Sequence, residues 1–133
     1  MENRLIREEY AEMAKKIIEE EPMLTDIANS QATIIYLASD YAKMSKGRAV
    51  CGECEKVADK NKWAIPCDFT ITVFEPNCVG FTEDQMRILL FHELLHVGIE
   101  YLEDGSEKYT VKPHDYEDFK VIIDRYGTEW NKV

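Results

Sequence analysis

The sequence predicts an α+β fold in which a small mixed sheet packs against one capped helix. Two runs rich in β-branched residues, 32–38 and 68–74, are typical of buried strands. Between the second run and the C-terminus, a capping-box pattern begins at Thr82 and predicts the start of a helix. The chain has 133 residues, a length typical of one domain, and we expect residues 1–133 to form a single domain.

The N-terminal half should contain one helix and two strands. Apolar residues recur with an approximate helical period over 4–21, and Pro22 is expected to end that helix. The strand 32–38 follows. A polar turn around Gly47 then leads to a second strand over 48–57, whose side chains alternate between polar and apolar.

The helix that follows the strand 68–74 carries its own start signal. Thr82 can accept a hydrogen bond from the backbone N–H of Gln85, and the Gln85 side chain can reach back to Thr82. We expect this helix to extend to about Tyr101. A turn, a short strand over 108–112 and a last helix capped by Asp115 complete the predicted order, α-β-β-β-α-β-α.

Composition excludes several classes of function. The formal net charge is −10, which argues against binding nucleic acid or an anionic membrane through clustered basic residues. The first ten residues are charged and lack the apolar core of an export signal, and no apolar run is long enough to span a bilayer. We therefore expect a cytoplasmic protein whose partner is a peptide or protein substrate, with neither nucleic acid nor membrane.

The predicted helix contains the motif His92-Glu93-Leu94-Leu95-His96, an HExxH sequence. Residues four apart lie on one helix face, so both imidazoles can reach one ion, and the pattern predicts one Zn²⁺ per chain. Glu93 lies close enough to take a proton from a metal-bound water without being a ligand itself. This is the arrangement of a metallopeptidase in which Glu93 is the catalytic base.

His114 is the predicted third metal ligand. A catalytic zinc ion has three protein ligands and one open position, and His114 is the one histidine left after His92 and His96. The alternative is a solvated loop histidine. The rival ligands are Glu100, Glu103, Asp115 and Glu117, of which Glu100 would share a helix face with His96. We expect Glu100 to orient an imidazole instead of binding the metal.

Cysteines and tyrosines leave alternatives open. Cys51 and Cys54 form a CxxC pair that, with Cys67 and Cys78, could hold a second zinc ion, but the spacing is poor and ordinary buried thiols fit better. The third interpretation is that Cys51 and Cys54 form a redox-active CxxC pair.

Tyr109 and Tyr116 lie near the ligands in sequence. Either phenol could stabilise a developing oxyanion, although most tyrosines near a site have a packing role.

The stretch from Phe69 to Trp130 resembles the putative phage metallopeptidase family. The likeness is carried by a strand followed by the segments HELLHV, PHDYEDF and DRYGTEW, and it extends back over the segment IIYLASD and the N-terminal helix. The chain is also similar, more distantly, to SprT-like zincins, in which a third histidine follows the HExxH helix and precedes a phenylalanine.

The resemblance implies a zincin-like minimal metallopeptidase. It places His92, His96 and His114 at the metal positions and Glu93 at the position of the base. Asp115 and Phe119 match further motif positions, where capping and packing are the expected roles; Asp115 is also a candidate to orient a ligand. The basic surfaces that SprT-like enzymes use to act on DNA-bound proteins are missing from the sequence, so that substrate class is not carried over.

Peptide-bond hydrolysis is therefore the predicted function, and two alternatives stay open. One is hydrolysis of a non-peptide amide by the same residues. The other is a zinc-binding structural or regulatory protein without turnover, which would have no use for a carboxylate at the position of Glu93.

Overall fold

The structure is a computed structural model that describes residues 1–114 and 118–132. The elements in these ranges, in chain order, are β1 (Arg4–Ile6), α1 (Glu8–Glu20), α2 (Thr25–Ala28), β2 (Ile34–Ser39), β3 (Met44–Ser45), β4 (Arg48–Ala49), β5 (Gly52–Lys56), β6 (Phe69–Phe74), α3 (Glu83–Leu95), β7 (Val97–Tyr101), β8 (Glu107–Val111) and α4 (Lys120–Tyr126). The fold is mixed α+β, as the sequence predicts.

A four-stranded mixed sheet with the order β1-β2-β6-β5 lies at the centre of the fold. β2 and β6 are parallel, and the two outer strands are antiparallel to their neighbours. On β6 the side chains of Phe69, Ile71 and Val73 are fully buried. They form the sheet's contribution to the hydrophobic core, which explains why a run of β-branched and aromatic residues predicts this strand.

Helices α1 and α3 complete that core. Ala14 and Ile17 of α1 are buried in the same apolar cluster as Leu90 and Leu94 of α3 and Ile71 of the sheet. α3 is therefore held against the sheet by its apolar residues, and its polar residues are left to line the space beside β5. None of the helices in the described ranges has the length and apolar character needed to cross a bilayer.

The first predicted helix begins later than expected. Residues 4–6 form β1, which pairs with β2, and α1 begins only at Glu8. Pairing with a strand that is distant in sequence overrides the local helical period, a tertiary effect that the local pattern does not contain.

The predicted strand over 48–57 is divided in two. β3 and β4 form a short hairpin whose turn residues, Lys46 and Gly47, have φ angles of 51° and 75°. Two consecutive left-handed residues are typical of a type I′ turn, which joins adjacent antiparallel strands. The chain then leaves the hairpin and enters the main sheet as β5.

The prediction that the HExxH helix extends to Tyr101 is wrong. α3 ends at Leu95, and residues 97–101 form β7, paired with β8. A Cβ atom at Gly98 would lie 2.4 Å from Thr110 Oγ1, so glycine is required for this close pairing. Glu100 consequently lies opposite Lys108 on an exposed hairpin and does not share a helix face with His96.

The last helix also begins later than predicted. α4 starts at Lys120, after Phe119, so it is not a helix that runs from Asp115. Asp115 itself lies outside the described residues. Gly127, with a φ of 77°, ends the helix at the predicted place.

Candidate metal centre

α3 presents His92 and His96 on one face. The helix begins with the predicted capping box: Gln85 N donates to Thr82 Oγ1 at 3.1 Å, and Thr82 N donates to Gln85 Oε1 at 2.8 Å. This cap fixes the helix start, and the two imidazoles follow one turn apart, with ring centroids separated by 5.2 Å.

His114 is brought to the same place by the β7–β8 hairpin. Where the hairpin closes, Lys112 N donates to His96 O at 2.7 Å, so the chain returns beside the end of α3. Nitrogen atoms of His92, His96 and His114 all lie within 4.8 Å of one another, and the Nε2 atoms of His114 and His92 are 2.8 Å apart. Three imidazole nitrogens at this spacing could hold a metal ion.

The second ring nitrogen of His96 fixes its orientation. His96 Nδ1 donates to the backbone carbonyl of Lys112 at 2.6 Å, which leaves Nε2 as the nitrogen with a free lone pair. Burial lowers the pKa of His96 to about 4. The ring is therefore neutral at pH 7, as a metal ligand must be.

Asp118, which no sequence pattern singles out, lies against His92 and orients it. Asp118 Oδ1 lies 2.6 Å from His92 Nδ1, and the two side chains are only 13% and 12% exposed. Burial alone would lower the pKa of His92, but the contact with Asp118 and the negative charges of Glu93 and Asp118 together outweigh burial and raise that pKa. A carboxylate on the far nitrogen of a ligand histidine is the usual way to fix its tautomer.

The C-terminal segment holds Asp118 in place. Trp130 Nε1 donates to Asp118 Oδ2 at 2.8 Å, and Phe119 N donates to Oδ1 at 2.7 Å. Gln85, which caps α3, also donates from Nε2 to the carbonyls of Trp130 at 3.1 Å and Lys132 at 2.6 Å. The Gln85 side chain thus connects the start of α3 to the C-terminal segment that holds Asp118.

Glu93 is a buried carboxylate beside the three histidines. Its side chain is almost fully buried, and Oε1 has no hydrogen-bond partner among the described residues. Oε2 lies 3.8 Å from His92 Nε2. Burial raises the pKa of Glu93 to about 7, against the opposing influence of His92. Leaving a buried carboxylate oxygen unpaired is costly, which is typical of a group reserved for a ligand.

Gly52, at the start of β5, determines how close Glu93 approaches the sheet. A Cβ atom on Gly52 would lie 3.3 Å from both Cγ and Oε2 of Glu93, and 3.2 Å from the carbonyl oxygen of Thr72. Few real Cβ contacts are this short. The absence of a side chain at Gly52 therefore creates the space in which the Glu93 carboxylate lies.

These groups face a cavity of about 340 Å³. Besides His92, Glu93, His114 and Asp118, the cavity is lined by one segment that precedes and enters β5 and by another near the C-terminus: Arg48, Ala49, Val50, Cys51, Gly52, Thr128, Trp130 and Asn131. The space is thus bounded by α3 on one side and by an outer strand of the sheet on the other.

Two of the predicted supporting residues lie elsewhere. Tyr109 donates its hydroxyl hydrogen to Glu107 Oε1 at 2.6 Å, and its ring packs on Phe69 at 5.6 Å between centroids. Neither Tyr109 nor Glu100 is among the described residues that line the cavity. Tyr116 and Asp115 lie outside the described residues.

The four cysteines do not assemble into a metal site. All four are free thiols in the described part of the chain, and the histidine triad is the one group there with enough ligand atoms close together to hold an ion. The geometry therefore disfavours a second zinc ion bound by cysteines.

Fold and site together define an α+β protein with a three-histidine centre next to a buried carboxylate. The chain belongs to the putative phage metallopeptidase family, whose model matches residues 3–133. No curated protein and no solved structure gives a significant match. The more distant similarity to SprT-like zincins stays a prediction.

Proposed function

We propose that this protein is a zinc-dependent metallopeptidase that hydrolyses peptide bonds, with Glu93 as its general base. The observation that carries the proposal is the position of Glu93. A fully buried carboxylate with an unpaired oxygen lies beside three converging imidazoles. A purely structural metal site has no use for such a group.

The three histidines suit Zn²⁺ as ligands. His96 donates from Nδ1 to a carbonyl, and Nδ1 of His92 lies 2.6 Å from a carboxylate oxygen, so both present Nε2 to the centre, and His114 Nε2 lies beside that of His92. Three nitrogen ligands with one open position are typical of catalytic zinc, and we expect about one ion per chain. When bound, zinc supplies Lewis acidity and lowers the pKa of water to about 7.

Glu93 is expected to move the protons of the reaction. Its carboxylate accepts a proton from the attacking water and then donates it to the leaving amine. The pKa of about 7 that burial gives this side chain is near the value that suits both steps at neutral pH. A bound cation would lower the pKa and favour the carboxylate form, which is the form that accepts the proton.

The substrate is proposed to be a peptide segment that lies along β5. β5 is the last strand of the four-stranded order, and its first residue, Gly52, lines the cavity next to Glu93. An extended peptide could add to this edge through backbone hydrogen bonds, which would bring its carbonyl towards the histidines. A zincin-like fold is part of the same proposal.

The substitution Glu93→Gln tests the role of the base because it keeps the shape of the side chain and removes its basicity. Zinc content and melting temperature should match wild type, and hydrolysis of unfolded protein substrates should fall by at least about 10²-fold. Glu12→Gln is the matched control, since Glu12 is an exposed residue of α1 that does not line the cavity. Activity within a few-fold of wild type in Glu93→Gln, or loss of its zinc, would refute the proposed role.

A further inference from the structure

Two cysteines meet in the wall of the metal cavity. Cys51 immediately precedes β5 and lines the cavity, whereas Cys78 is buried at the end of the turn that follows β6. Phe74 N donates to Cys51 O at 2.8 Å and holds the two segments together. Cys78 Sγ lies 3.7 Å from Cys51 O, and Cys51 Sγ lies 3.8 Å from Asn77 O, so each thiol contacts the segment that carries the other.

The structure therefore pairs Cys51 with Cys78 and not with its sequence neighbour. Cys54 lies within β5, opposite Ile71, and packs against the hydrophobic core. Burial raises the pKa of Cys54 to about 12, and the interaction with Cys51 together with burial raises the pKa of Cys78, so Cys51 is the thiol of these three that is favoured as the nucleophile at neutral pH. The interaction with Cys78 lowers the pKa of Cys51 to about 7, which favours its thiolate form.

The turn that carries Cys78 is anchored independently of the metal centre. Glu75, at the start of this turn, accepts hydrogen bonds from Tyr10 and, at 3.2 Å, from Arg7 Nη2, both at the N-terminal end of α1. The buried thiol is thus fixed next to the one that faces the cavity. A thiolate open to a cavity beside a fixed second thiol is the arrangement in which oxidation ends in a disulfide.

We propose that Cys51 and Cys78 form a peroxide-reactive pair that closes to a disulfide in the cavity wall. The Cys51 thiolate attacks hydrogen peroxide, the O–O bond breaks, and a sulfenic acid and hydroxide form. The Cys78 sulfur then attacks the Cys51 sulfur, the S–O bond breaks, and hydroxide leaves, taking up the thiol proton as water. Peroxide is reduced, and the two thiols together lose two electrons and two protons.

The disulfide should not release the metal. No cysteine belongs to the group of ligand atoms formed by the three histidines, and both Cys51 and Cys78 lie outside α3. This separates the proposal from a cysteine zinc site, in which oxidation would expel the ion. The test is also independent of whether Glu93 acts as a base, because it measures mass, disulfide linkage and zinc content and not peptidase activity.

The test is oxidation of the zinc-loaded full chain with one equivalent of hydrogen peroxide at pH 7. Intact mass should fall by two hydrogen atoms, and peptide mapping without reductant should link the peptides of Cys51 and Cys78. The matched control Cys54→Ser should lose the same mass, whereas Cys51→Ser and Cys78→Ser should not. Zinc content should stay unchanged after oxidation.

The proposal would be overturned by a Cys51–Cys54 link, by a disulfide between two chains, or by addition of oxygen atoms without any disulfide. Peptide mapping of the wild-type protein decides among these outcomes even where a serine variant fails to fold. Release of zinc on oxidation would also contradict the proposal, because it would make a cysteine a metal ligand.

Discussion

Asp118→Asn probes the support of the metal centre most specifically. Asp118 Oδ1 lies 2.6 Å from His92 Nδ1, and Asp118 Oδ2 accepts a hydrogen bond from Trp130 Nε1 at 2.8 Å. Asparagine has the same shape but only one acceptor oxygen. One of the two ring N–H groups must then face an amide NH₂ group, which is also a donor.

The expected loss of zinc affinity depends on which contact of Asp118 is removed. Removing the partner of a ligand histidine typically weakens metal binding by about 10–100-fold, or about 1.4–2.7 kcal/mol. We therefore expect the dissociation constant for zinc to rise by this factor in Asp118→Asn. Trp130→Phe keeps the contact between Asp118 and His92, removes the hydrogen bond to the other carboxylate oxygen, and should weaken zinc binding less, by about threefold to tenfold.

The assay is competition for zinc against a chromophoric chelator at pH 7, with the melting temperature of the metal-free protein measured in parallel. Asp124→Asn is the matched control: it makes the same change in charge on α4, where Asp124 pairs with exposed Lys120. Its zinc affinity should stay within about twofold of wild type. Equal zinc affinity in Asp118→Asn and Asp124→Asn would refute the positioning role.

Two further changes test other parts of the structure. Gly52→Ala places a methyl group 3.3 Å from Glu93, and the required shift of a few tenths of an ångström should lower activity about tenfold at constant zinc content; unchanged activity would mean that the contact is not restrictive. The carboxylate of Asp68 accepts hydrogen bonds from Lys62, at 2.9 Å, and from Thr33. Together these contacts outweigh the effect of burial and lower the pKa of Asp68. The ionised Asp68 side chain therefore stabilises the fold above about pH 3.9, its pKa in the unfolded chain, and this stabilisation is lost as the pH falls through the lower pKa of the folded protein. Asp68→Asn should lower the free energy of unfolding by about 1 kcal/mol at pH 7 and by less at pH 3, measured by urea unfolding; an equal loss at both pH values would contradict this.

The sequence predicts the features that depend on local spacing. His92 and His96 share a helix face because the capping box and the four-residue interval are both local signals. His114 was proposed as the ligand that returns by a short hairpin, and the structure brings it to the other two. The β-branched runs 32–38 and 68–74 predict strands, and the structure has strands at 34–39 and 69–74, where most of these residues are buried or half-buried.

The features that were missed depend on contacts between distant segments. The end of α3 was placed too late because Gly98 allows a close strand pairing that no helical period reveals. The sequence does not predict the role of Asp118, because that role depends on contacts with His92 Nδ1 and with Trp130, which are distant from Asp118 in sequence. A search for acceptors for the outer nitrogens of the proposed ligand histidines would have identified it as a candidate.

Zinc content tests the central claim most directly, by elemental analysis of purified wild type, His114→Ala and Glu100→Gln. The three-histidine centre predicts about one zinc per chain in the wild type, a sharp loss in His114→Ala, and retention in Glu100→Gln, whose side chain lies on the exposed β7–β8 hairpin. Retention of zinc in His114→Ala together with its loss in Glu100→Gln would contradict the assignment of the ligands. Zinc that persists in His92→Ala and His96→Ala as well would contradict the centre as a whole.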